Sequence, residues 1–348
     1  MEQFLIERLQ NFTLDRKVLS VDTNDRDILR WPNANEFEVS LPQTYSNVES
    51  IRLLNVQIPN KLYNISEHLQ NNKMIIKRAG LSVVITLEDG YYTNEYLATS
   101  LQQHIRLDHH RFNVVPADPR PFDISVNFNS IDQKMYFHTT DAAFSFKFND
   151  VSLSYNNTTS CNTDVFEQHS NWGLGSILGF NKTTTLDSTN ITDSPVDTSN
   201  NNLYFHYNNN QIITDGHFIK SDNKVNLLHN QFIYLEVDKY NTSDEIKPFI
   251  NDRLNNTNTG LINSYFAKIP IKYKHDDINQ SLSCKDDFID SFSYYQPPIE
   301  KISKLKIKFR YHNGLLVDLG NLNISLSIEI NQIRNEMKNY DVRTPFRI

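Results

Sequence analysis

Short runs in which apolar and polar residues alternate, each cut off by Asn, Asp, Gly or Pro, recur along this sequence, and that pattern leaves few folds open. Side chains two apart share one face of a strand, so each run is a strip with one wet and one dry side. Lys17 to Asp22 is the first such run, and Trp31-Pro32-Asn33-Ala34-Asn35 is a turn into the second, Glu36 to Leu41, where Phe37, Val39 and Leu41 face one way. Val48 to Ile58 continues the theme until Pro59-Asn60 stops it, and Lys73 to Leu87 reads as a hairpin bent at Ala79-Gly80. Strands of this length separated by turn chemistry are the signature of sandwiches and barrels.

The period then changes once. After Asp89-Gly90, Thr93 is placed to cap a helix in which Leu97, Leu101 and Ile105 recur four apart, so one amphipathic helix from Thr93 to Leu107 is expected to lie on a sheet. Alternation resumes in a hairpin, Asp123 to Asn129 and Gln133 to Thr139, followed by Ala143 to Phe148. Residues 149–202 are rich in Asn, Thr, Ser and Asp apart from the island Trp172 to Phe180, which reads as a short helix plugging the core between long surface loops. Further strands are expected at Leu203 to Tyr207, Phe232 to Tyr240 and Leu261 to Ile271. The closing pair, Lys304 to His312 and Leu315 to Leu319, turns through Asn313-Gly314, a dipeptide that suits a type I′ hairpin, and Asn323 to Ile330 is the final strand. The 21 Phe and 17 Tyr supply the bulky side chains that strands favour. The fold class is therefore all-β in the main, an antiparallel β-sandwich with one amphipathic helix and long Asn-rich loop insertions. Residues 17–330 form the sandwich, with a subdivision near 187–202 as the alternative, an N-terminal arm over 1–16 and a C-terminal tail over 331–348.

Charge and cysteine use narrow the function. A net charge of −7 offers no general attraction to phosphate backbones, so nucleic acid is not an expected partner. Cys161 and Cys284 match no metal-ligand spacing and are read as free thiols. No run approaches the ~20 apolar residues of a membrane-spanning helix, and the first residues lack a signal-peptide core; a soluble or peripheral protein without a transmembrane segment is expected.

A search for chemistry returns little. No phosphate-binding Gly motif or nucleophile elbow occurs. Gly173, Gly175 and Gly179 sit beside Trp172 and Leu178 with no Lys placed for phosphate, which suits close packing. His104, His109 and His110 cluster at the end of the expected helix, where cationic side chains are favoured without any metal. Asp276-Asp277 and Asp286-Asp287 are acidic pairs in polar loops and read as solvated turns. Lys304, Lys306 and Lys308 form a basic stripe on one strand face, either guarding an edge or meeting an acidic neighbour. No enzyme activity, metal or cofactor is expected.

The run from Val21 to Tyr63 carries a likeness. Asp22, Arg26, Asp27, Pro32, Asn33, Asn35, Phe37, Ile51, Leu53, Ile58, Pro59 and Tyr63 stand where an acidic-polar stretch, a Pro-Asn turn and a strand stand in the minor capsid proteins, virion structural proteins of nucleocytoplasmic large DNA viruses. EDGYYTNEYLATSLQ, SILGF and KLKIKFRYHNGLLVDLGNLNISLSIEI resemble later blocks of that family in the same order. The resemblance implies a jelly-roll-like sandwich that cements or underlies major capsid protein capsomers, sited in the virion shell and assembled in the infected host cell cytoplasm. Its implied partners are the major capsid protein, other minor capsid proteins and further copies of itself. The alternative is a virion surface spike that binds a receptor or glycan.

Candidate subunit-interface residues follow. Arg26 and Trp31 lie in the turn-rich segment, which is expected to serve the fold first. Phe4, Leu9 and Phe12 would leave an apolar stripe on a lone N-terminal helix, and Arg343, Pro345 and Phe346 lie in a tail that cannot bury its apolar residues against itself.

Overall fold

The computed structural model describes residues 13–59, 62–78, 80–111, 123–150, 153, 155, 166, 171–190, 206–207, 211–212, 216–228, 230–246, 262–271, 281–285, 292–320 and 322–334. In the first half the strands are β1 (Thr13–Asp22), β2 (Glu36–Pro59), β3 (Lys73–Arg78), β4 (Leu81–Thr86), β5 (Ser125–Asn129), β6 (Lys134–Thr139), β7 (Phe144–Lys147), β8 (Thr185–Asp187) and β9 (Thr189–Asn190). The rest are β10 (His206–Tyr207), β11 (Gln211–Ile212), β12 (His217–Lys220), β13 (Phe232–Val237), β14 (Ser243–Ile246), β15 (Ile262–Tyr265), β16 (Ala267–Pro270), β17 (Ser281–Lys285), β18 (Ser293–Arg310) and β19 (Ser325–Arg334). Among the described residues they are joined by the helices α1 (Asn94–Arg111) and α2 (Leu174–Ile177) and by a 3-10 turn at Thr23–Asp25. The protein is mainly β, and every strand pairing described is antiparallel.

The chain divides into two compact units: residues 1–60, 231–247 and 260–348 form the first, and 61–230 with 248–259 the second. The chain thus crosses between units near residues 60, 230, 247 and 260; the sequence pattern offered a subdivision at 187–202. In the first unit the sheet runs β1-β19-β2-β18-β13-β16, with β17 also against β2. The two long strands, β2 and β18, are bent by register shifts, and β2 carries Asn47 at φ 52. Such irregularities bend a strand and let one segment serve two stretches of sheet. Alternation decides the core: Phe37, Leu305, Ile307, Phe309, Ile328 and Ile330 are each 1% exposed or less, and the residues beside them are polar or charged, some in contact with water and others, such as Arg310 and Glu329, buried in ion pairs.

The second unit stacks two four-stranded sheets, β4-β3-β7-β8 and β5-β6-β12-β9. Phe137 on β6 meets Phe146 on β7 edge-on at 4.7 Å, so the inner faces interlock. Thr93 caps α1 through its hydroxyl, which accepts from the Tyr96 amide at 3.2 Å. Leu97, Leu101 and Ile105 enter the shared core, and the helix packs on β4 and β5, one edge strand from each sheet. At the opposite edges β8 and β9 are separated by Ser188 alone, so the chain steps from one sheet to the other there. Ser188 donates its amide to the Phe144 carbonyl at 2.8 Å and accepts from the Phe144 amide on its hydroxyl at 2.9 Å. α2 brings Leu174 and Ile177 into the same core. A Cβ on Gly175 would lie 2.1 Å from Trp172, and one on Gly179, at φ 84, would lie 2.3 Å from the Asn223 carbonyl, so close packing requires these glycines.

Several expectations are corrected. Leu261 to Ile271 is two strands, not one: it breaks at the buried Phe266, so β15 pairs with β14 and β16 with β13. Thr185 to Asn190, read as loop, forms β8 and β9, whose polar side chains hid any alternation. The Asn313-Gly314 turn is not type I′, which needs positive φ at both residues. Only Gly314 has it, at φ 86, while the Gly314 amide bonds the Tyr311 carbonyl at 2.9 Å: a type I turn followed by a left-handed glycine. Beyond it Leu316 makes a single bridge to Arg310 rather than a strand. Leu203 to Phe205, Cys161, the two Asp pairs and most of the polar flanks of α2 lie outside the described residues.

Candidate interaction surface

The segment between β1 and β2 is ordered by a single guanidinium. Arg26 donates from Nη1 to the Thr23 carbonyl at 2.7 Å and to Asn323 Oδ1 at 2.8 Å, from Nε to the Trp31 carbonyl at 3.1 Å, and from Nη2 to the Pro32 carbonyl at 3.1 Å. A planar fork fixed on one stem can hold four acceptors at set angles, which a lysine could not. Asp22 and Asp27 do not pair with Arg26; each accepts from the loop backbone. Asp22 Oδ1 accepts from the Asn24 amide at 2.8 Å, and Asp27 Oδ1 accepts from the amides of Leu29 at 3.0 Å and Arg30 at 3.3 Å. The Asp27 carbonyl then accepts from the Trp31 amide at 2.7 Å, closing a turn. Asn35 anchors the far end by donating to the Val317 carbonyl at 2.8 Å.

The tip of this well-held loop faces water with apolar side chains: Ile28 is 62% exposed and Leu29 98%. Trp31 is half-buried, with the Arg30 guanidinium 5.5 Å and the Lys306 ammonium 5.4 Å from its ring. Of the two candidates in this segment, Arg26 is thus the scaffold and Trp31 the wall. Ile28 and Leu29 are the exposed apolar groups of the loop, and the sequence reading did not single them out. The signal available was their position directly after the Asx-turn residue Asp27, which turns both outward. Phe4, Leu9, Phe12, Arg343, Pro345 and Phe346 lie outside the described residues.

Beside the loop, the basic stripe finds its acidic neighbour within the chain. β18 pairs with β2 along the stripe and with β13 over Ile307 to Arg310, so at Lys308 it is no edge. Lys304 meets Glu38 at 3.0 Å, and Lys306 and Lys308 meet Glu36 at 3.0 and 3.6 Å. The hydrogen bond from Lys304 holds the Glu38 carboxyl below its usual range, with the charges of Lys304, Arg30 and Lys306 adding to it. Arg310 continues the stripe but is buried. Its Nε lies 2.5 Å from Glu236 and its Nη1 2.7 Å from the equally buried Glu245, whose other oxygen lies 2.5 Å from His312 Nδ1. Tyr234 lies beside this network, and burial pushes its hydroxyl up to about 12, helped by the Glu245 charge. The network ties β14 to the end of β18, a structural role for groups that could be mistaken for acid and base. Among the described residues no group of three His, Cys, Asp or Glu could hold a metal ion, and no helix is long and apolar enough to cross a membrane.

A family model matches residues 5–283 of the chain. The chain belongs to DUF5901, a family of unknown function. The match takes in the Arg26 loop and all of the second unit but ends before β18 and β19. No curated protein matches the sequence. Among solved structures, the mavirus penton protein is similar over 92% of this chain and 100% of its own, at 10% identity and a TM-score of 0.41. A chain of the Sputnik virophage structure is similar over 92% of this chain and 98% of its own, at 12% identity and a TM-score of 0.36.

Proposed function

We propose that this DUF5901 protein is a non-catalytic structural subunit of a large DNA-virus shell, a jelly-roll-like minor capsid protein that cements or underlies major capsid protein capsomers. The observation that carries this is the Arg26 loop: a segment fixed by its own hydrogen bonds that nonetheless holds Ile28 and Leu29 in solvent. Pre-ordering such a tip lowers the entropy lost on docking, and covering it removes apolar surface from water. The ordered blocks of the resemblance support the reading too, because they are the parts that build the loop, the second half of β2, the start of α1, the turn after α2, and β18 with β19. Thr13 pairs with Arg334, so the segments preceding residue 13 and following residue 334 leave β1 and β19 at one end of the sheet, suited to gripping a neighbour together.

The test is co-expression with the shell proteins of the same virus. Leu29→Asp, alone and with Ile28→Asp, should leave the melting of the isolated protein unchanged while the chain is lost from purified particles. Full incorporation of the double variant would reject the loop as the contact. One observation favours the spike reading: Tyr294, 63% exposed, stacks on Phe292 at 5.4 Å with planes 11° apart, and the Arg52 guanidinium lies 4.5 Å from the Phe292 ring, so the outer face of Tyr294 is a pre-set aromatic surface of the kind sugar rings lie on. A glycan array with Tyr294→Ala as the control separates the two.

A further inference from the structure

β1 is the outermost strand of its sheet, and among the described residues it pairs on one side only, with β19 along all ten of its residues. Its other edge carries backbone N–H and C=O groups pointing away from the sheet, a template for one more strand. Two further features mark it as made for pairing. On the outer face Leu14 is 48% and Val18 58% exposed, while on the core-facing side Asp15 and Lys17 are half-buried at the rim. The C-terminal segment supplies the matching pattern, since Tyr340, Val342 and Thr344 alternate with Asp341 and Arg343 and Pro345 follows.

We propose that residues 339–345 of a second copy add to the free edge of β1 as an antiparallel strand, with Tyr340 opposite Val18, Asp341 opposite Lys17, Arg343 opposite Asp15 and Thr344 opposite Leu14. This deepens the reading of the C-terminal segment as a contact arm and commits it to a site. In that register both charged pairs are of opposite sign, and the exposed Val18 is covered by an aromatic side chain, two kinds of cross-strand neighbour that stabilise sheets. Sliding the arm two residues either way sets Asp341 against Asp15 or Arg343 against Lys17. Pro345, which has no N–H to give, falls opposite Thr13, where the strand begins.

Chain length makes the donor a second copy. Arg334 ends β19 level with Thr13, so the same chain's Tyr340 would have to run back beside β1 to the level of Val18. The shortest path clears the end of β1 over about 5 Å and then runs about 18 Å on the diagonal, roughly 23 Å before any allowance for the bulk of β1 itself. Six fully extended residues reach only about 21 Å.

Sedimentation of the isolated full-length protein over a hundredfold range of concentration tests this apart from any role in a shell. Association is expected, and deleting residues 339–348 should leave a monomer with unchanged melting. Lys17→Asp and Asp341→Lys should each weaken association roughly five- to thirtyfold by turning an attractive pair repulsive. An equimolar mixture of these two variants should recover it, because the Asp edge of one then meets the Lys arm of the other. Full-length protein that stays monomeric, association that survives the deletion, or single variants that do not rescue each other would overturn the proposal. So would a Val18→Cys, Tyr340→Cys double variant whose disulfide forms within one chain. Loss of particle incorporation with self-association intact would fault the shell role and leave this inference standing.

Discussion

Replacing Arg26 by alanine removes four charge-assisted hydrogen bonds at once, three of them to carbonyls of the loop itself. Hydrogen bonds to charged groups contribute about 1.5–3 kcal/mol each where water is excluded. Two of these four are to exposed positions where water substitutes, and the Thr23 carbonyl keeps a bond from the Arg26 amide at 3.3 Å. The expected cost to the ordered loop is therefore about 2–4 kcal/mol rather than the full sum. Because the chain has two units, a single unfolding midpoint is a poor gauge, and amide hydrogen exchange reads the loop directly. The Trp31 amide, bonded to the Asp27 carbonyl at 2.7 Å, should exchange about 30 to 1,000 times faster in Arg26→Ala. Arg26→Lys keeps the charge and loses the fork, so it should recover little of the protection. Protection unchanged within threefold in Arg26→Ala would show that something other than this guanidinium orders the loop.

Other outcomes are expected. Leu101→Ala, at a side chain with no exposure between α1 and the sheets, should cost about 2–5 kcal/mol in denaturant unfolding of the second unit, and a cost below 1 kcal/mol would refute its placement. Gly179→Ala meets both a left-handed backbone and the Asn223 carbonyl, so it should lower the melting temperature by several degrees or abolish soluble expression; wild-type melting would contradict that crowding. Arg310→Ala leaves the buried Glu245 with His312 but without its guanidinium, and should destabilise the first unit by about 3–5 kcal/mol, with Glu245→Gln in the same chain recovering part of it. Glu38 has a lowered pKa in the folded state, so it adds stability above its unfolded pKa and loses that contribution as pH falls through the folded value. An NMR titration of Lys304→Met should find the Glu38 pKa moved back up, and an unmoved value would exclude Lys304 as the cause.

Local physics made much of this protein readable from its residues alone. Strand positions follow from period-two alternation, and one helix follows from Thr93 with Leu97, Leu101 and Ile105, because a side chain's face depends only on backbone geometry within a few residues. The glycine cluster around Trp172 was legible as packing for the same reason: its neighbours are the apolar Trp172, Leu174 and Leu178, with no Lys at the spacing a phosphate loop needs.

What only the tertiary structure decided are the matters that depend on partners distant in the chain. Lys304, Lys306 and Lys308 looked like an edge or a waiting contact until Glu36 and Glu38 proved to be their neighbours, over 250 residues away. Arg310 has the same spacing and phase as those lysines but is buried, because β14 brings Glu245 over it. Arg26 was expected to serve the fold before any neighbour, but which groups it holds could not be read locally: one of them, Asn323, is delivered by the far end of the sequence. Sequence fixes which face a residue occupies. Whether that face is covered, and by what, is set by long-range strand pairing, in which each buried charge must find its counter-charge wherever the chain brings one.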